Sequence, residues 1–100
     1  MRLIAVFLCS LLLAQASGAD SYDRDAAQVL AGPCASCHGP DGRSPGVMPD
    51  IAGLPREYLL ERLTAFQDGS EPATIMTRLM QGYDRTQIDT LAIWFSEVEE

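Results

Sequence analysis

Cys34-Ala35-Ser36-Cys37-His38 is the stretch whose reading decides the fold. Two cysteines three apart, with a histidine directly after the second, form the attachment signature for haem c. The spacing has a mechanical reason. Residues i and i+3 of one helical turn share a face, so both sulfurs can reach the two vinyl groups of one haem as thioethers. His38 then projects its imidazole at the iron from the same side. Other readings of Cys-x-x-Cys fit less well. A thioredoxin-like redox pair calls for a βαβ context, and the sequence carries no strand pattern. A structural zinc site takes four Cys or His ligands, and beyond residue 19 there are only these three. A plain disulfide leaves His38 and Gly39 unexplained.

The 100 residues make one domain at most. Met1-Arg2 supplies a positive start, Leu3 to Leu13 is an apolar run broken only by Ser10, and small residues follow at Ala14, Ala16, Ser17, Gly18 and Ala19. This is the pattern of a secretory signal peptide, residues 1–19, with cleavage after Ala19 or after Ala16. The run is too short for a bilayer span, which takes about 20 apolar residues. The mature chain is therefore expected to have no membrane span. Cys9 falls inside the leader and is read as neither a lipid anchor nor a functional thiol. Export suits the motif, because haem c proteins mature outside the cytoplasm. In a bacterium the expected address is the periplasm.

Removing residues 1–19 leaves 81, one domain spanning 20–100. At that size a core alone is marginal, and a covalently held haem supplies a large apolar disc for short helices to pack on. Fourteen Asp and Glu face seven basic residues, all of them Arg, for a net charge of −7. An acidic surface disfavours nucleic acid and anionic lipid, and steers basic partner patches. Solubility alone would account for it equally well.

Working outward from the motif, Asp20 to Ala31 reads as a helix capped by Ser21 or Asp23, with an apolar face at Ala26, Ala27, Val29 and Leu30. Gly32-Pro33 is expected to break it just before Cys34. Gly39 to Gly46 is dense in Gly and Pro, hence an irregular loop that can run close to a flat group. Val47 to Leu54 is more apolar and is expected to line one haem edge. Pro55 opens a second helix at its first position. Its buried stripe would be Leu59, Leu60, Leu63 and Phe66, with Glu57, Glu61 and Arg62 outward and Asp68-Gly69 at its end. Ala73 to Gln81 is a third, short helix. Asp84 and Gln87 resemble a capping pair for a last helix with Ile88, Leu91, Ala92 and Phe95 or Trp94 inward. The expected class is all-α.

His38 is the only histidine, so a sixth ligand must come from elsewhere. Thioether sulfur favours ferrous iron and raises the potential, which leaves Met48, Met76 and Met80, each of which also reads as a core filler. A distal ligand returns after the middle helix, which disfavours Met48. Met76 and Met80 are four apart on one helical face, and spacing does not separate them.

Cys34-x-x-Cys37-His38-Gly39, Pro49-x-x-x-Gly53-Leu54, a middle helix and an aromatic C-terminal helix together resemble a small class I c-type cytochrome. Phe66-Gln67-Asp68-Gly69, Ala73-Thr74-Ile75-Met76-Thr77-Arg78-Leu79 and Gly82-Tyr83 are similar to the haem subunit of flavocytochrome c sulfide dehydrogenases. The resemblance implies Met76 as distal ligand, with Met80 the alternative. It also implies that the Pro49 carbonyl accepts from His38 Nδ1–H. Arg78 and Tyr83 beside the ligand segment, and Arg43 and Arg56 near the loop, are candidates for bonding a haem propionate. One covalent haem c, held by Cys34 and Cys37, follows from the single attachment site.

Three functions compete. The chain could be the electron-accepting subunit or partner of a sulfide-oxidising flavoprotein, passing electrons to a soluble acceptor and itself non-catalytic. It could be a free shuttle of a respiratory or photosynthetic chain. An open, ligand-binding or peroxidase-like haem is the third, and the three available methionines argue against it.

Overall fold

The computed structural model describes residues 22–99, so the expected signal peptide, residues 1–19, and the candidate cap Ser21 lie outside the described residues. Four helices follow in order: α1 Arg24–His38, α2 Arg56–Asp68, α3 Ile75–Met80 and α4 Arg85–Ser96, with a single 3-10 turn, Pro40–Gly42, after α1. No strand occurs among the described residues, and the architecture is all-α.

The helix expected to stop at Ala31 does not stop there. α1 runs through Gly32-Pro33 and carries the whole Cys34–His38 motif. Proline has no N–H to give the carbonyl four residues back, here that of Val29. That residue is 77% exposed, so water can take the freed oxygen. Asp23 starts the helix, its carboxylate accepting from the N–H of Asp25 at 3.0 Å and of Ala26 at 3.2 Å. Ala27 and Ala31 are buried, with Leu30 and Cys34 half-buried beside them. This is the i, i+3, i+4, i+7 stripe of a packed helix. Ala26 and Val29, expected on that face, are exposed instead.

α4 is the central support and packs on both α1 and α2. Asp84 and Gln87 form a reciprocal capping box at its start, with bonds of 2.8 and 2.9 Å. Ile88, Leu91, Ala92 and Phe95 are buried as expected. Trp94 is half-buried on the side of α1, where the Arg24 guanidinium lies 5.6 Å from its ring centre.

The segment between α1 and α2 is irregular but pinned. Ile51 and Ala52 donate to the Gly42 carbonyl at 2.9 and 3.3 Å, and Gly53 donates to the Phe95 carbonyl at 2.8 Å. Two glycines make this course possible. Gly39 (φ 84°) leaves no room for a Cβ, which would collide with the Arg43 carbonyl. Gly42 (φ 78°) sits where a Cβ would meet Ile51 Cγ1 at 2.7 Å and Phe95 Cδ1 at 2.9 Å.

Pro55 is the residue that caps α2, one position outside the helix. Gln67 near the end of α2 donates from Nε2 to the carbonyls of Met80 at 2.9 Å and Tyr83 at 2.6 Å. Gln81 returns a bond to the Gln67 carbonyl at 2.7 Å. These three bonds fasten α3, too short to be stable alone, against α2.

Candidate haem site

A partly open cleft of about 300 Å³ lies among α1, the 48–54 segment, α2 and α3, with the buried Leu91 and Phe95 of α4 on its inner wall. The continuity of α1 brings Cys34, Cys37 and His38 to one side of it, all within one turn. Both cysteines are free thiols, Cys34 half-buried and Cys37 exposed. Burial pushes the Cys34 thiol up from its ordinary pKa, and a backbone hydrogen bond offsets part of that rise.

His38 Nδ1 lies 2.7 Å from the Pro49 carbonyl. A carbonyl can only accept, so Nδ1 carries the proton and Nε2 is left with its lone pair for a metal. The bond also ties the 48–54 segment to the histidine side of the cleft. To the same cleft α2 supplies Leu59, Leu63 and Phe66, and α3 supplies Ile75, Met76 and Leu79. An apolar, slot-like space with paired thiols and an oriented imidazole on one wall is the donor set that haem c requires. The residues present fit that group.

Of the residues singled out from sequence, Cys34, Cys37, His38, Met48, Pro49 and Met76 all line the cleft. Met80, Arg78 and Tyr83 are not among its lining residues. Met80 is 1% exposed, in the core. Tyr83 donates its hydroxyl to the Leu30 carbonyl at 3.0 Å, tying the end of α3 to α1. Burial raises its pKa above the ordinary 10.0. Arg43 pairs with Asp41 at 3.5 Å and donates to the Glu99 carbonyl, and Arg56 pairs with Asp89 at 2.8 Å.

Sequence reasoning passed over Tyr58 and Arg62, which both line the cleft. Arg62 had been expected to point outward. It is half-buried, its guanidinium 5.1 Å from the Phe66 ring centre and 3.2 Å from a Glu71 carboxylate oxygen. Its place at i+3 from Leu59, and i−4 from Phe66, was the available signal. A long aliphatic stem can lie on an apolar wall while its charge reaches a partner.

The cytochrome c family model matches residues 24–97, from the first residue of α1 to the one after α4. The chain belongs to the cytochrome c family. The cytochrome is 37% identical over 73 residues to the cytochrome subunit of sulfide dehydrogenase from Chlorobaculum tepidum, covering 73% of this chain and 66% of that one. It is 34% identical to cytochrome c4 of Pseudomonas aeruginosa, covering 84% of this chain and 40% of the relative. It is 33% identical to a thiosulfate dehydrogenase electron acceptor of Thiomonas intermedia, covering 74% and 35%. The cytochrome thus spans less than two thirds of the length of these relatives.

Its cofactor is haem c, and Cys34 and Cys37 stand at the spacing for covalent attachment of one haem. The haem, when bound, supplies an iron that takes up and returns one electron. The protein's own part is to hold and shield. The bond to Pro49 holds the imidazole in one tautomer and orientation. Leu59, Leu63, Phe66, Leu79 and Phe95 exclude water from the cleft, which lowers the local dielectric and favours the less charged state of a metal centre. The function that follows is electron transfer.

Proposed function

We propose that the cytochrome accepts single electrons from a sulfide-oxidising flavoprotein as its haem subunit or stable partner, and hands them to a soluble acceptor. It does so in the periplasm, after loss of a signal peptide ending at Ala19 or Ala16. His38 and Met76 are the axial ligands. Met48 is next to Pro49, whose carbonyl is bonded to His38, so it belongs to the histidine side. Met80 is in the core, outside the cleft lining. Met76 arrives in the cleft on α3, from the part of the chain that follows the middle helix.

The observation that carries the partnership is the 37% identity to a cytochrome subunit of sulfide dehydrogenase, over 73% of the chain. A second reading, a free shuttle, draws on the likeness to an electron acceptor and on the net charge of −7.

Gel filtration of native extract at low and high salt separates the two, with haem and flavin absorbance followed together. Apolar burial is not screened by salt, so a subunit co-elutes with flavin in both. Haem eluting alone in both would sink the partnership. Docking by charge alone would be lost as the Debye length shrinks to about 3 Å at 1 M salt.

A further inference from the structure

We propose that Arg62 tunes the redox potential of the haem by holding a fixed positive charge against its cleft. The inference rests on haem c occupying the cleft and is independent of which partner docks.

Three observations place that charge. Arg62 is the only Arg or Lys among the described residues lining the cleft. Its guanidinium lies over Phe66, itself a wall of the same cleft, 5.1 Å from the ring centre. Glu71, on the connection between α2 and α3, pairs with it at 3.2 Å. An arginine stays protonated throughout the working pH range. The stacking and the ion pair therefore fix both the sign and the place of the charge.

A cation beside a haem stabilises the state with one more electron, the reduced one. The cleft wall is apolar, while the 36% exposed Arg62 side chain lets solvent damp the interaction. The Glu71 carboxylate paired with it opposes it. The other ionisable side chains of the lining are His38, committed to Pro49, and Asp50, whose carboxylate accepts from the Ser44 N–H. Cys34 and Cys37 are consumed by attachment. A half-exposed ion pair of this kind adds little to stability. Its effect belongs in the potential.

The test is spectroelectrochemical titration of the purified haem-loaded protein and of Arg62→Gln, Glu71→Gln and the double variant. Arg62→Gln is expected to disfavour the reduced form about threefold, which is about 28 mV lower at 59 mV per tenfold for one electron. Glu71→Gln should move the potential upward, and the double variant should fall between the two. An unchanged potential in Arg62→Gln, or shifts of the same sign in both single variants, would overturn the proposal, because a merely structural pair loosens the site in the same way from either end. If Arg62→Gln does not load haem, Glu71→Gln decides alone: a rise supports the proposal, and no rise defeats it. Absence of haem from the wild-type protein would instead count against the cofactor itself.

Discussion

At the scale of single residues, two side chains that resemble each other in sequence have different surroundings. Met76 lines the cleft, whereas Met80 is 1% exposed and packed in the core. Met80→Ala should therefore destabilise the protein by about 2–5 kcal/mol, the usual cost of truncating a buried methionine. Denaturant unfolding measures it, and a loss below about 1 kcal/mol would contradict the burial. Tyr83 carries a pH dependence. Its pKa is raised, chiefly by burial, so the folded state favours the neutral phenol. Its contribution is complete below the ordinary pKa of 10.0 and is lost as pH rises through the folded value. Melting temperatures should fall on the alkaline side in the wild type and fall less in Tyr83→Phe; equal alkaline losses would refute this. The attachment motif was fully legible, since Cys34, Cys37 and His38 are named by spacing alone. Arg62 was not. Charge suggested an outward position, and only the fold reveals that Phe66 and Glu71 hold it against the cleft.

At the scale of elements, the devices that position the site are small. Gln67→Ala removes the donor from two carbonyls, those of Met80 and Tyr83. The Met80 carbonyl keeps the Tyr83 N–H at 3.2 Å, but leaving the partly buried Tyr83 carbonyl unpaired costs about 1–3 kcal/mol, and the strain falls on the end of α3, the carrier of Met76. Thermal unfolding of the haem-loaded variant should show that loss, and an unchanged melting point would count against the clamp. Gly42→Ala adds a Cβ at φ 78° that meets Ile51 and Phe95 side chains. It should cost more than the 1–2 kcal/mol of a left-handed backbone alone, and a cost within that range would show that the two side chains yield freely. Capping signals placed α4 and the end of α2 correctly, because Asp84, Gln87 and Gly69 act locally. The extent of α1 was misjudged at Gly32-Pro33, since a proline tolerated where its lost bond faces water leaves no mark in the sequence. The expected third helix, Ala73 to Gln81, is shorter in the structure: Thr74 and Gln81 are its flanking caps, both with helical backbone angles, and helical propensity alone does not mark where the ladder stops.

At the scale of the whole molecule, α1 delivers the attachment turn, α2 and α3 the opposite wall, and α4 the floor that both sides share. No helix among the described residues is long and apolar enough to cross a membrane. The intact mass of the native protein should correspond to one haem on a chain beginning at Asp20 or Ser17; a chain still carrying residues 1–16 would contradict cleavage at either site. The class of fold was readable because one short motif fixes the cofactor and the helical patterns around it are strong. The His38–Pro49 bond, implied by the resemblance, is present; the place of Tyr58 and Arg62 in the cleft lining was not readable, because no periodicity encodes which part of a helix meets an element far along the chain. The central claim is that one haem sits between His38 and Met76. It is tested most directly by the weak far-red sulfur-to-iron band of the oxidised protein, recorded for the wild type, Met76→Ala and Met80→Ala. The band is predicted in the wild type and in Met80→Ala and absent from Met76→Ala; its survival in Met76→Ala, or its loss in Met80→Ala alone, would contradict the account.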